Sequence, residues 1–338
     1  MLKKIVLSVL LIILIAAGWL AFSPCTQFSE DKVYWFIKTG KSDKASVISQ
    51  LIEENKIKNV IVFEYIGNFI NLWPKIKPGK YEIKKGCSLF TFVRMLRNHQ
   101  QASVNLVITK LRTPGNLAGL ISKKFECDSA AFLRFLEKES NLKQYEVDKE
   151  NILFIVHPNT YTLYWNAGPE DILKKIYDYH LDFWNEERKA QAEALGLTPL
   201  QATSLASIVE EETLVDQEKP VIARVYLNRL NKNMPLGADP TVKFATGNFE
   251  LKRILLKHIN ETANSPYNTY TNKGLPPGPI CTPQDATIDA VLNPDDNKYL
   301  FFCAAPGYKG THKFAVTDKE HLENARSYQQ WLNEVGIR

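Results

Sequence analysis

Three consecutive glutamates, Glu210, Glu211 and Glu212, are the first residues whose type and spacing could do chemistry. A helix advances by about 100° per residue, which places Glu212 at about 340° when Leu205 defines 0°. That direction lies within the apolar stripe of the segment. Glu210 and Glu211 fall at about 140° and 240° on the same wheel and are predicted to face solvent. Glu212 is therefore predicted to face the apolar core.

A carboxyl group against an apolar wall loses hydration, which raises its pKa and keeps it protonated near neutral pH. A protonated carboxyl is what a general acid acting on a glycosidic oxygen requires. Two structural alternatives stay open for Glu212. It could end the helix with its carboxylate extended toward solvent, or it could form an ion pair with Arg224 or Arg229.

Two later segments carry the groups that saccharide sites use. Residues 267–271 (YNTYT) combine hydroxyl, amide and aromatic side chains, and residues 274–280 (GLPPGPI) form a loop whose glycines permit close backbone approach. Such loops also occur as purely structural turns. The segments are therefore consistent with a sugar-binding surface without establishing one.

The elements that must position these residues have clear boundaries. Thr198, Pro199 and Gln201 form a capping box that predicts a helix over 198–214, and a second helix is predicted near 218–231. Thr282 is predicted to cap a further helix that begins with Pro283. The stretch around Asp239 is predicted to lie in a loop region.

The chain on either side is predicted to mix short strands with amphipathic helices. Strands are predicted at Val33–Ile37, 80–83 and 103–109, with helices that open at Ser42 and Ser88. Closing strands at 299–304 and 312–316 and a helix over 318–334 complete the pattern. The predicted fold class is α+β.

The N-terminal segment is the most apolar part of the chain. Ile5–Phe22 contains no charged residue and would span roughly 27 Å as a helix, close to the thickness of a bilayer core. The run is longer than a signal-peptide core, which favours an uncleaved anchor over a cleaved signal, and Lys3 and Lys4 predict a cytoplasmic N-terminus. The predicted organisation is tail 1–4, transmembrane anchor 5–22, linker 23–32, small α+β subdomain 33–110 and main α+β domain 111–338.

Composition excludes several classes of protein. With 23% charged and 11% aromatic residues among its 338, the chain is not disordered. The net charge of +5 is not gathered into a basic block, so no nucleic-acid partner is predicted. Five cysteines and six histidines show no metal-ligand spacing, so no metal is predicted. The cysteines are predicted to be buried thiols with one bridge at most.

Several motifs, in order and spacing, resemble the endolytic murein transglycosylase family, also called YceG-like. The motifs are ASIVEEET at 206–213, Glu218, NRL at 228–230, DPTV at 239–242, YNTY at 267–270 and GLPPG at 274–278. The resemblance implies a bacterial enzyme without a cofactor, held in the cytoplasmic membrane with its catalytic domain outside. It implies peptidoglycan glycan strands as substrate, peptidoglycan synthases as candidate partners and a LysM-like subdomain at 33–110.

The resemblance also implies roles for single residues. The family's catalytic glutamate precedes the motif threonine, which corresponds to Glu212. The candidate substrate-binding residues are Tyr267, Asn268, Asp239, Thr241 and Glu218. For Glu218 and Asp239, helix-start and turn chemistry is an equal alternative. The sequence departs from the family pattern at Asn159, where an aspartate is usual, and at Gly237, where a glutamine is usual.

The family's reaction would need one catalytic carboxyl. Glu212 would protonate the oxygen between N-acetylmuramic acid and N-acetylglucosamine, and the muramoyl C6 hydroxyl would then close a 1,6-anhydro ring. An intramolecular nucleophile removes the need for the second carboxylate that most glycosidases use. Two alternatives remain at this stage: a muramidase in which Glu218 or Asp239 activates water, and a non-catalytic peptidoglycan-binding scaffold.

Overall fold

A computed structural model describes residues 2–307 and 310–336 of the chain. The helices and strands, in chain order, are α1 (Leu2–Phe22), β1 (Lys32–Ile37), α2 (Lys44–Glu53), α3 (Val60–Phe69), β2 (Gly79–Lys84), α4 (Leu89–Arg97), β3 (Ser103–Val107), α5 (Pro114–Lys124), α6 (Ser129–Leu136), α7 (Glu139–Leu142), β4 (Thr160–Tyr164), α8 (Pro169–Phe183), α9 (Glu186–Ala194), α10 (Pro199–Glu212), α11 (Lys219–Asn231), α12 (Asp239–Thr246), α13 (Leu256–Glu261), α14 (Asp285–Leu292), β5 (Phe301–Ala304), β6 (His312–Ala315) and α15 (Asp318–Glu334). The predicted α+β class is confirmed.

The chain divides into two compact units. The first contains residues up to 106 together with 121–128 and 162–168, and the second contains 107–120, 129–161 and the chain from 169 onward. The predicted boundary at 110 lies near the first change of unit, but two short later segments also belong to the first unit. The assignment of 33–110 as a LysM-like subdomain stays a prediction.

The first unit is built on an antiparallel pair of strands. β1 and β2 align from Lys32 opposite Lys84 to Ile37 opposite Gly79. Because side chains alternate across a strand, Trp35 and Ile37 turn inward and are fully buried, and Tyr81 lies opposite Trp35 in the same core. Helices α2, α3 and α4 cover this face with their apolar sides.

Helix α1 begins the first unit and carries exposed apolar side chains along its length, including Leu7, Ile12 and Phe22. In the described part of the chain, no helix has the combination of length and apolarity expected of a membrane span. The predicted anchor at 5–22 is therefore not confirmed.

Helix α10 is the centre of the second unit. The predicted capping box is present: the Thr198 hydroxyl accepts a hydrogen bond from the Gln201 amide at 3.2 Å, and the Gln201 side chain accepts one from the Thr198 amide at 2.9 Å. Every residue from Ala202 to Glu210 is buried. Helices α11 and α14 contribute Ile222, Tyr226 and Ile288 among other residues to the same core. Helix α10, which ends at Glu212, is thus enclosed on all sides over residues 202–210.

Two local predictions for the second unit were wrong. Thr282 does not cap α14, because Gln284 holds the cap position, while the Thr282 hydroxyl accepts a hydrogen bond from the Leu111 amide at 2.9 Å. Asp239 does not lie in a loop but begins helix α12, with Pro240 in its first turn. At Thr282 a contact from a distant segment replaces the predicted cap, whereas at Asp239 the proline that follows is compatible with the first turn of a helix.

Candidate active site

The candidate site is organised around the last residue of α10. Glu212 occupies that position, and the helix ends because Thr213 is extended. Glu212 is partly buried, and the Tyr226 hydroxyl on α11 donates a hydrogen bond of 2.7 Å to its Oε1 atom. The prediction that Glu212 faces inward agrees with this placement.

The surroundings of Glu212 favour the protonated form of its carboxyl. Loss of hydration is the largest effect and raises the pKa of Glu212 to about 7, helped by the negative charges of Asp239 and Glu211. The Tyr226 hydrogen bond and the positive charge of Arg229 oppose this rise in pKa. The group can therefore deliver or accept a proton under ordinary conditions.

The two arginines that were alternative partners of Glu212 bind backbone carbonyls instead. The Arg224 Nε atom donates to the Asp295 carbonyl at 2.6 Å. Arg229 donates to the Leu300 carbonyl at 2.6 Å and to the Leu236 carbonyl at 2.7 Å. Arg229 acts on Glu212 through its charge, whereas the hydrogen bond to the Glu212 carboxyl comes from the uncharged hydroxyl of Tyr226.

A second carboxylate–phenol pair lies beside the first. The Tyr270 hydroxyl donates a hydrogen bond of 2.6 Å to Asp239 Oδ1, and both residues are exposed. Gly237 precedes this pair in the left-handed region, with φ of +59°, and a Cβ atom there would lie 3.4 Å from Arg229 Nη1 and 3.7 Å from Tyr270 Cε1. The departure from the family pattern at Gly237 thus leaves space between Arg229 and the Tyr270 ring.

Glu210 and Glu211 do not face solvent as predicted. Glu210 is buried, where its Oε2 atom lies 3.4 Å from Lys219 Nζ and accepts a hydrogen bond from the Thr287 hydroxyl. Glu211 accepts two hydrogen bonds of 2.9 Å from Arg112. The helical-wheel prediction for Glu210 and Glu211 was wrong because α10 is enclosed on all sides. A position away from its apolar stripe is therefore still covered by other parts of the protein.

Asn268 and Thr241, two of the candidate substrate-binding residues, are fully buried. The Asn268 side chain donates to the Ile259 carbonyl and the Thr262 hydroxyl, and its oxygen accepts from the Tyr270 amide. The Thr241 hydroxyl donates to the Ala238 carbonyl at 2.7 Å. In this structure both residues hold the loop that presents Tyr270, and neither side chain is accessible to a sugar.

Tyr267 and Glu218 are more accessible. Tyr267 is half-buried, with its ring centroid 4.6 Å from that of Phe244. Glu218 accepts hydrogen bonds from the His312 amide at 2.7 Å and from the Thr213 hydroxyl at 3.3 Å, and its Oε2 atom lies 2.8 Å from His312 Nδ1. Glu218 therefore ties the residue that follows Glu212 to strand β6.

Sequence reasoning missed Tyr226 as a partner of Glu212. The two residues are 14 positions apart on different helices, and a buried tyrosine on α11 has no local signal that distinguishes it from an ordinary core residue. No cofactor ligand set was predicted. Within residues 2–307 and 310–336, no group of three or more His, Cys, Asp or Glu side chains could hold a metal ion.

Comparison with known proteins identifies the family. The model of the YceG-like family matches residues 36–327, which include every residue of the site. The chain belongs to the YceG-like family. This match confirms the resemblance that the sequence motifs indicated.

Two relatives from different bacteria carry the same name. The endolytic murein transglycosylase of Bacillus subtilis (strain 168) is 28% identical over 328 residues, with 92% of this chain and 89% of the relative covered. The endolytic murein transglycosylase of Streptococcus pneumoniae (strain R6) is 23% identical over 303 residues, which cover 80% of this chain. The chain spans about half the length of that relative, 54%.

A solved structure has a similar fold. The crystal structure of a YceG-like protein from Listeria monocytogenes matches with a TM-score of 0.56 and 27% sequence identity. The match covers 87% of this chain and 99% of the other. The YceG-like fold therefore extends over most of the chain.

Proposed function

We propose that this YceG-like protein is a peptidoglycan lytic transglycosylase and that Glu212 is its catalytic acid and base. The names of the Bacillus and Streptococcus relatives support the reaction. The observation that carries the residue assignment is the Glu212 carboxyl, enclosed at the end of α10 with a pKa of about 7 and bound through one oxygen to Tyr226. In this proposal, the other carboxyl oxygen exchanges the proton with the substrate.

The proposed reaction uses the two protonation states of Glu212 in turn. Protonated Glu212 gives its proton to the glycosidic oxygen between N-acetylmuramic acid and N-acetylglucosamine as the C1–O bond breaks. The resulting carboxylate takes the proton of the muramoyl C6 hydroxyl, whose oxygen bonds to C1 of the same sugar. The products are a 1,6-anhydromuramoyl end and a free 4-hydroxyl, and no water is consumed. Because nucleophile and electrophile belong to one sugar ring, the step is intramolecular.

The neighbouring residues have supporting roles in this proposal. Asp239 and Tyr270 are exposed beside Glu212 and offer a carboxylate and an aromatic edge to a sugar, and the Tyr267 ring lies on the same loop. Asn268 and Thr241 act indirectly by holding that loop in place. Glu218 orients the backbone that follows Glu212 through Thr213 and His312. Asn159 has no role in the proposed chemistry.

The experiment that tests the reaction is mass analysis of the products from purified glycan strands. The proposal expects new ends that are lighter than reducing ends by one water. Reducing ends alone would instead establish a muramidase, with Asp239 or Glu218 activating water. Strands that bind but stay intact would establish a non-catalytic scaffold.

The pH dependence of the cleavage rate tests the role of Glu212. Because the acid must start protonated and its pKa is about 7, kcat/KM is expected to fall about tenfold per pH unit above neutrality. Replacing Tyr226 by phenylalanine removes a donor that favours the ionised carboxyl, so the pKa of Glu212 should rise and the alkaline limb should move to higher pH. Steady-state rates between pH 5 and 9 for both proteins measure the shift.

The matched control for this experiment is Tyr299→Phe, which removes a phenol elsewhere in the second unit. Its profile should coincide with that of the unmodified protein. If kcat/KM of Tyr226→Phe falls at the same alkaline pH as that of the unmodified protein, the assignment of the titrating group to Glu212 would be contradicted.

We also propose that the N-terminal segment anchors the protein in the bacterial cytoplasmic membrane, with the catalytic unit outside. The support is the charge-free run Ile5–Phe22 behind Lys3 and Lys4, and the exposed apolar side chains of α1. Peptidoglycan synthases acting on nascent strands are the proposed partners. Membrane fractionation tests the anchor: the full chain should resist alkaline extraction, and a variant lacking residues 2–22 should be released. Release of the full chain would contradict it.

A further inference from the structure

Two cysteines lie opposite each other where the chain leaves α1. Pro24 and Ser88 form an antiparallel bridge. Cys25, which follows Pro24, therefore lies opposite Cys87, which precedes Ser88, and the Cys25 amide donates a hydrogen bond of 2.9 Å to the Cys87 carbonyl. The Cys25 carbonyl in turn accepts from the Lys58 amide at 2.7 Å. The backbones of Cys25 and Cys87 are therefore held as cross-strand neighbours by ordered hydrogen bonds.

The two side chains also interact directly. The Cys87 thiol is the main cause that raises the pKa of Cys25, and the Cys25 thiol in turn lowers the pKa of Cys87. Cys25 is buried and Cys87 is half-buried, so a reagent reaches Cys87 more readily. Residues that lie opposite each other in an antiparallel pair have Cα atoms about 4.5–5.5 Å apart, within the range of about 4.4–6.8 Å that disulfides span.

The other three cysteines are placed differently. The Cys127 thiol donates to the Asp128 carbonyl, and the buried Cys281 thiol donates to the Ser207 carbonyl. Cys303 lies on β5 and is half-buried. Among the described residues, Cys25 and Cys87 are the cysteines whose thiols shift each other's pKa.

We propose that Cys25 and Cys87 are a dithiol site that is oxidised to an intramolecular disulfide by exchange with a disulfide-bearing partner. The Cys87 thiolate attacks one sulfur of the partner disulfide, whose other sulfur leaves as a thiolate. The Cys25 thiol passes its proton to that thiolate and attacks the Cys87 sulfur, which releases the partner's second sulfur as a thiolate. The two cysteines are thereby oxidised to one disulfide, and the partner disulfide is reduced to one thiol and one thiolate, which takes up from solvent the proton that Cys87 had lost.

This bridge would close the chain between residues 25 and 87, which contains β1, α2, α3 and β2. It would join the segment that follows α1 to the start of α4, where Phe22 already packs on Phe90 with ring centroids 5.2 Å apart. A long closed loop reduces the freedom of the unfolded chain, so the bridge should stabilise the first unit. It would also fasten the end of α1 to the fold that follows it.

The test uses the full-length protein equilibrated with reduced and oxidised glutathione, then alkylated, digested and analysed by mass spectrometry without reduction. We expect a linked Cys25–Cys87 peptide in which two of the five thiols are protected from alkylation. The control Cys127→Ser should keep this linkage, and Cys25→Ser and Cys87→Ser should each lose it. Thermal unfolding should show Tm lower by several degrees after reduction, with no such change in the double serine variant.

Three outcomes would overturn the proposal: five alkylated thiols under oxidising conditions, glutathione adducts on Cys87 without the linkage, or a linkage to another cysteine. Peptide mapping of the unmodified protein decides between them. The conclusion therefore does not depend on whether a serine variant folds.

Discussion

Replacement of Glu212 by glutamine is expected to lower glycan-strand cleavage by about 10²- to 10⁴-fold, the usual contribution of a general acid. Glutamine keeps the shape of the side chain and an oxygen that can accept the Tyr226 hydrogen bond, but it has no proton to give the glycosidic oxygen. Product formation from purified strands, followed by mass spectrometry, measures the loss.

The same variant should be more stable than the unmodified protein at alkaline pH. The pKa of Glu212 is raised by folding from 4.5 to about 7, so the folded state binds the proton more tightly, and stability falls as pH rises between these values. Glutamine cannot ionise and avoids this loss. At pH 8 the free energy of unfolding of Glu212→Gln should exceed that of the unmodified protein by about 1–3 kcal/mol, and at pH 4 the two should be similar.

The matched control is Glu211→Gln, which alters the adjacent carboxylate on the same helix. Glu211 is bound to Arg112 and Lys110 and acts on Glu212 only through its charge, which is a smaller cause of the raised pKa than loss of hydration. This variant should therefore keep activity within about fivefold after correction for folded fraction. Equal losses in the two variants, or undiminished cleavage by Glu212→Gln, would contradict the assignment of Glu212.

The second large effect is expected from Lys219→Met. Lys219 and Glu210 are both buried, and removing the ammonium leaves the Glu210 carboxylate with the Thr287 hydroxyl and the Lys110 ammonium 4.0 Å away. An uncompensated buried charge costs about 3–5 kcal/mol, so the free energy of unfolding should fall by about 3 kcal/mol. Urea unfolding monitored by circular dichroism measures the change.

The comparison for this prediction is Lys174→Met, which breaks an exposed pair with Asp178 and should change stability by about 0.5 kcal/mol or less. Adding Glu210→Gln to Lys219→Met should recover part of the loss, because the unpaired charge is then removed. Equal costs for the Lys219 and Lys174 variants would show that the buried pair does not hold α10 against α11. Since Glu212 lies on α10 and Tyr226 on α11, the pair also supports the site.

The capping residues show why local structure could be predicted well. Thr198 and Ser88 cap α10 and α4 as expected, because an N-cap hydrogen bond joins residues three positions apart and needs no distant partner. Thr282 illustrates the limit of the same rule. Its hydroxyl bonds to the backbone of Thr109 and Leu111, more than 170 positions earlier, and that long-range contact replaced the predicted cap.

By itself, the sequence determined the α+β class, the boundaries of α10 and α11, the motifs of the YceG-like family and the choice of Glu212. These features depend on neighbours along the chain or on residue order. Only the tertiary structure decided which groups surround Glu212 and which residues form ion pairs with Glu210 and Glu211. A helical wheel assumes one face toward the core and one toward water, but α10 is enclosed on all sides. The hydration of each glutamate therefore depends on Tyr226, Lys219 and Arg112, which reach α10 from other segments.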